Sequence, residues 1–199
     1  MPKKKIGVLT GGGDCPGLNA VIRGVVKASL SQHNMEVVGF EDGFAGLVEK
    51  RPVAMDWLSV SGILTQGGTI LGASNIANPF RWPQEDENGD LKFIDVSDQV
   101  VDYINNELQL DSLVCIGGDG TMAIAHRMSQ KGVRVVGVPK TIDNDIMGTD
   151  ITFGFDSALT AATEAIDRIH STAMSHHRVM VIELMGRYAG WLALEAGIA

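Results

Sequence analysis

Short runs of β-favouring apolar residues recur along this chain. Most are followed by a glycine-rich or polar loop, and several by a stretch with helical spacing. This alternation constrains the fold more than any other feature. Lys5–Thr10 (KIGVLT) reads as a buried strand, with a helix over 18–31 behind it and a second strand at Glu36–Phe40. Residues 112–116 and 134–138 read as two more strands, with a helix over 122–131 between them. Strands that alternate with helices imply βαβ units, so the expected class is α/β: a parallel sheet with helices on both faces.

The pattern breaks after Val138. A polar loop runs to Asp150, and Phe155, Leu159, Ala162, Ile166 and Ile169 then recur at helical spacing. Residues 178–184 (RVMVIEL) read as a further strand, and residues 84–90 as an acidic surface loop. The break puts a domain boundary near Pro139, giving units 1–138 and 139–199. The helix expected from Tyr188 runs to Ala199 with no polar tail and no capping residue, so the sequence is expected to be part of a longer chain.

The chain has 199 residues, 45% hydrophobic and 20% charged, which suits a soluble globular protein with a real core. A net charge of −8 argues against general nucleic-acid binding. The apolar run after Lys3-Lys4-Lys5 is too short for a signal peptide, and no stretch approaches membrane-spanning length. Cys15 and Cys115 lack metal-ligand spacing and are expected to be reduced thiols in a cytoplasmic protein.

The 24 glycines cluster where strands end. Thr10-Gly11-Gly12-Gly13-Asp14-Cys15-Pro16-Gly17 follows a strand and opens a helix, a setting where backbone N–H groups can meet a phosphate. It is neither a dinucleotide fingerprint, since Pro16 stands at the third glycine's place, nor a P-loop. Gly117-Gly118-Asp119-Gly120-Thr121 repeats the arrangement with a carboxylate in the turn. A carboxylate beside phosphates is repulsive unless a cation intervenes, so Asp119 points to Mg²⁺; the plainer role is a helix cap. Thr141-Ile142-Asp143-Asn144-Asp145 follows the next strand and lies on the same sheet edge, where Asp143 could take a proton from a hydroxyl. The plainer reading there is an Asx-rich turn. Met185-Gly186-Arg187 and His176-His177-Arg178 flank the last expected strand, and their arginines suit phosphate oxygens.

TGGGDCPGLNAVIRG, GGTILG, IGGDGT, PKTIDND, GTD, AIDRI, SHHR and MGRYAG follow one another in the order found in the phosphofructokinase family, and the chain resembles that family over nearly its whole length. The resemblance implies two α/β domains with the active site between them, the C-terminal part being absent from this sequence. It implies phosphoryl transfer to the 1-hydroxyl of fructose 6-phosphate, a donor-binding unit at 1–138, and the start of a sugar-phosphate unit at 139–199. By the same resemblance Gly12, Gly118, Asp119, Gly120, Thr121 and Lys140 serve the donor, and Asp119 holds Mg²⁺. Thr141, Asp143 and Asp145 surround the acceptor hydroxyl, with Asp143 the general base. Met185, Gly186 and Arg187 contact the sugar phosphate, and Arg178 reaches a neighbouring subunit's site, so a homo-oligomer is implied.

The chain departs from the family's pattern at several positions. Asn75 stands where bacterial ATP-dependent members carry an arginine, with Arg81 a nearby substitute. At the family's effector arginines only Arg23 matches; Lys27, Trp57 and His170 replace the others, which argues against that mode of regulation. Two positions bear on the donor. Pyrophosphate users commonly have Asp where this chain has Gly120, and Lys where it has Lys140. The two signals disagree, and exclusion by an aspartate outweighs a flexible lysine, so ATP is expected, with pyrophosphate the alternative. An NAD or lipid kinase would share GGDGT but not PKTIDND or MGR. A non-catalytic fragment that binds nucleotide or a partner subunit is the remaining reading.

Overall fold

The computed structural model describes residues 3–86 and 88–198. Its centre is a six-stranded sheet in the order β3-β2-β1-β6-β7-β8. These are Pro52–Met55, Glu36–Phe40, Lys5–Thr10, Ser112–Gly117, Val135–Thr141 and Phe153–Gly154. All neighbours pair in parallel except β3, which runs antiparallel to β2. β4 (Trp82–Glu85) and β5 (Leu91–Ile94) form a separate antiparallel hairpin.

Each central strand divides its side chains between two cores, as a period of two requires. On one face Ile6 and Val8 of β1 and Val114 and Ile116 of β6 pack with Leu18, Ile22 and Val26 of α1 (Leu18–Gln32). On the other, Leu9, Leu113 and Cys115 meet Phe44 and Leu47 of α2 (Phe44–Val48), Val100 of α3 (Ser97–Asp102) and Met128 of α4 (Asp119–Gln130). Ile104, on the π-helical turn Tyr103–Glu107, joins this second core. Apolar side chains on both faces make the central strands read as continuous apolar runs. The chain therefore has the α/β class expected of it. No described helix is long and apolar enough to cross a membrane.

Four local expectations need correction. α4 begins at Asp119 rather than Met122, because the GGDGT turn is itself the first turn of the helix. β7 runs on through Pro139 to Thr141, where Lys140 and Thr141 pair with Phe153 and Gly154. Residues 84–90 are not all loop, since Gln84 and Glu85 belong to β4. The segment 178–184 is not a strand: it has no pairing partner among the described residues, and Val179 and Val181 are 93% and 95% exposed. The alternating sequence is suited to a ladder that requires a neighbour. The long helix does form, as α5 (Phe155–His176), with Phe155 and Ala162 buried, and α6 (Trp191–Ile198) packs against it.

Candidate active site

β1, β6 and β7 are adjacent, so the loops beyond their carboxyl ends converge although they are far apart in sequence. The first loop leaves β1 through Gly11, whose N–H donates to the Ile116 carbonyl at 2.9 Å. Gly12 adopts a left-handed φ of 80° and donates to the Ser74 carbonyl at 3.0 Å. The backbone thus uses both amides, and they are not free to meet a phosphate as the glycine pattern suggested. The β6 loop packs tightly against the first. A Cβ on Gly11 or Gly117 would come within 2.5 or 2.4 Å of the Thr121 hydroxyl, so only glycine lets the start of α4 approach this closely.

Lys140 supplies the positive charge that the amides do not. It is 5% exposed, its Nζ donates to the Gly13 carbonyl, and it has no ion-pair partner among the described residues. An ammonium group held in this way attracts an anion. The Cys15 thiol lies close by and donates to the Phe153 and Pro16 carbonyls, tying the first loop to β8. Burial pushes the Cys15 pKa up, with Lys140 partly opposing.

A fourth loop closes the site. Asn19 of α1, 1% exposed, donates to the Gln66 and Gly67 carbonyls at 3.1 and 3.2 Å and accepts from the Ile70 N–H at 2.8 Å. The Thr10 hydroxyl donates to the Gly72 carbonyl at 2.6 Å. Together these pin residues 66–72, which bring Ser74 and Asn75 to the cavity wall.

The cleft between these loops has a volume of about 770 Å³, within the usual range for small-molecule sites. Its lining is mixed: Asp119, Thr121, Arg127 and Lys140 are polar or charged, whereas Phe44, Ile76, Ala77 and Ile124 are apolar. Gly118, Gly120, Thr141 and Arg187 also line it, so all the candidate donor residues converge here. Asp119 accepts from the Gly120 N–H at 2.9 Å and from Arg187 Nη1 at 3.3 Å. Arg187 follows Gly186, and both have positive φ, 53° and 148°.

The other candidates lie outside these walls. Asp143 is half-buried just past β7, where its N–H donates to the Thr141 hydroxyl at 3.1 Å. The neighbouring Asn144 accepts from the Thr152 N–H at 3.0 Å, which fixes the turn. Asp145, Arg178 and Met185 are exposed, while Gly186 is buried. Arg81 is not in the wall either: its guanidinium lies over Phe93 at 4.3 Å. The residue that sequence reasoning missed is Arg127, which lines the cavity from α4. Only its helical register with Asp119, two steps of four residues, would have pointed to it. Of the effector-position residues, Lys27 lies over the Trp57 ring at 5.4 Å, and Arg23 Nε is buried without a partner among the described residues.

A family model described as Phosphofructokinase matches residues 5–199. The chain belongs to the phosphofructokinase family. An ATP-dependent 6-phosphofructokinase of Clostridium perfringens is 57% identical over all of this chain, which covers 54% of that protein. A pyrophosphate–fructose 6-phosphate 1-phosphotransferase of Amycolatopsis methanolica is 51% identical over 98% of the chain, with 53% of its own length matched. Among solved structures, phosphofructokinase from Pichia pastoris superposes with a TM-score of 0.84 at 34% identity, covering 100% of this chain and 22% of that one. The chain spans about half the length of the curated relatives it matches.

Proposed function

We propose that this phosphofructokinase chain binds ATP in the cavity above β1, β6 and β7, and that the whole protein transfers the γ-phosphoryl group to the 1-hydroxyl of fructose 6-phosphate. The observation that carries the donor assignment is the size and mixed lining of the cavity. A polyphosphate suits charged groups such as Lys140, and a nucleoside suits apolar ones such as Ile76 and Ile124. Pyrophosphate alone would leave those apolar side chains without a partner. The space beside Gly120 supports the same reading, because a Cβ there meets nothing within 4 Å.

Phosphoryl transfer needs positioned oxygens and charge stabilisation more than covalent help. Asp143 is assigned as the base that takes the hydroxyl proton, with Thr141 and Asp145 orienting the acceptor. Lys140 offsets the charge on the transferred group. Gly12, Gly118, Gly120 and Thr121 shape the cleft closely around the donor phosphates. Met185, Gly186 and Arg187 take the sugar phosphate. Asp119 fits Mg²⁺ shared with the donor phosphates, since that ion often uses one or two carboxylates and keeps its remaining positions for phosphate and water. Bound there, the ion would neutralise phosphate charge.

Residues 1–138 then form the donor-binding unit, and 139–199 begin the sugar-phosphate unit. Arg178 is exposed and absent from the cavity wall, which supports its reaching a neighbouring subunit in a homo-oligomer. Two buried free thiols suit a cytoplasmic enzyme. Lys140 favours the second reading, pyrophosphate as donor. A coupled assay for fructose 1,6-bisphosphate with each donor at fixed Mg²⁺ separates them: kcat/KM is expected to be higher with ATP, and a higher value with pyrophosphate reverses the assignment.

A further inference from the structure

We infer that Thr152 is a positioning residue for Asp143, holding in place the turn that carries the proposed base. The inference rests on the assignment of Asp143 above and names a residue that the sequence motifs leave out. Thr152 is 3% exposed, while Ile151 and Phe153 on either side of it are 50% and 49% exposed. A threonine buried between two exposed apolar residues reverses the usual pattern, and a buried hydroxyl is costly unless it is hydrogen-bonded. Here every polar group of Thr152 is engaged. Its hydroxyl donates to the Thr141 carbonyl at 2.7 Å, and its N–H donates to the Asn144 side-chain oxygen at 3.0 Å. Its carbonyl accepts from the Phe155 N–H at 3.3 Å, at the start of α5.

These bonds close a ring through the base. Asp143 donates its N–H to the Thr141 hydroxyl at 3.1 Å, and Asn144 follows it in the chain. Thr152 thus grips the turn on both sides of Asp143 and ties it to α5. Asn144 has a left-handed φ of 52°, a conformation uncommon outside glycine, and its bond to Thr152 helps to hold it there. Pairing between β7 and β8 ends at Thr141, so it does not reach the base. The Asp143 carboxylate has no ion-pair partner among the described residues, so the backbone of the turn governs where it points. Misplacing a catalytic group by about 1 Å can cost on the order of 100-fold in rate, which makes the ring matter for turnover.

A double-mutant cycle in the whole protein tests this, with the better phosphoryl donor saturating and fructose 6-phosphate varied. Thr152→Val removes the hydroxyl and is expected to lower kcat about tenfold while the donor KM stays within about twofold. Thr152→Ser keeps a hydroxyl and should recover kcat to within about threefold of wild type. With Asp143→Asn already in place, Thr152→Val should cost less than about twofold more, because the group it positions is gone. If Thr152→Val does not fold, Asn144→Gly opens the ring at its other side, and the same split and the same loss of additivity are expected of it. An unchanged kcat in the folded variant, no rescue by serine, or equal losses with and without Asp143 would each overturn the inference. If Asp143→Asn alone kept near-normal turnover, the base assignment itself would fall, and the role of Thr152 with it.

Discussion

Gly120→Asp separates the folded structure from its donor. Gly120 is the second residue of α4, and a Cβ added there meets nothing within 4 Å. An aspartate in the first turn of a helix is favourable by about 0.3–1 kcal/mol, so thermal stability should hold or rise slightly. The cost falls on the ligand. The new carboxylate enters the cavity beside Asp119, where it faces the donor phosphates. Two like charges roughly 5 Å apart repel by about 3 kcal/mol at an effective dielectric constant near 20. Lys140 and a cation carried by the donor would offset part of this, leaving about 1–2 kcal/mol, or a roughly five- to thirtyfold loss of ATP affinity. Pyrophosphate, with no inner phosphate ester to crowd, should lose less. Calorimetric titration with both donors, alongside a melting curve, measures all three quantities. A melting temperature several degrees lower would refute the open-space argument, and equal losses for both donors would show that the repulsion acts elsewhere.

In the whole protein, Asp143→Asn should lower kcat by about 10²–10⁴-fold with a smaller effect on KM, as expected for a lost general base; near-normal turnover would remove Asp143 from the mechanism. Asn19→Leu leaves two carbonyls and an amide without partners and should destabilise the fold by roughly 2–4 kcal/mol, read by urea unfolding. Faster hydrogen exchange confined to residues 66–75 is the accompanying sign, and unchanged exchange there would count against the pinning role. Burial pushes the Cys115 pKa from 9.0 up to about 12. The folded state therefore favours the thiol, and that stability is lost as pH rises from about 9 toward about 12. The stability gap between wild type and Cys115→Ala should shrink between about pH 8 and about pH 10.5, and a constant gap would contradict the assignment.

What could be read from the sequence was whatever local pattern alone controls. β1 and β6 are apolar throughout because both faces are buried, and each ends at glycines that later prove to line the cavity. Lys140 and Thr141 were placed on the right sheet edge because the apolar run at 134–138 leads directly into them. What failed depended on a distant neighbour. Residues 178–184 have strand-like alternation but no partner to pair with, while Trp82–Glu85 carries Pro83 and still pairs, because Leu91–Ile94 lies beside it. The Gly12 amide could not be known to be taken, since its acceptor, Ser74, belongs to a separate loop. Arg127 lies outside every motif, and only the folded structure shows that its face of α4 lines the cavity.

The strand order also governs when the site can form. β1 pairs with β6 rather than β3, and the Lys5 amide is bound by Asp111, 106 residues along the chain. Lys140 and Gly13 lie 127 residues apart, and Cys15 and Phe153 lie 138 apart. Contacts of such long range close late, because loop entropy must be lost before they form. The cavity is thus among the last parts of this chain to assemble. A donor nucleotide bound as proposed would have nothing to grip on an intermediate that lacks β7, so it would draw only finished sheets out of a refolding mixture and act there as a chemical chaperone.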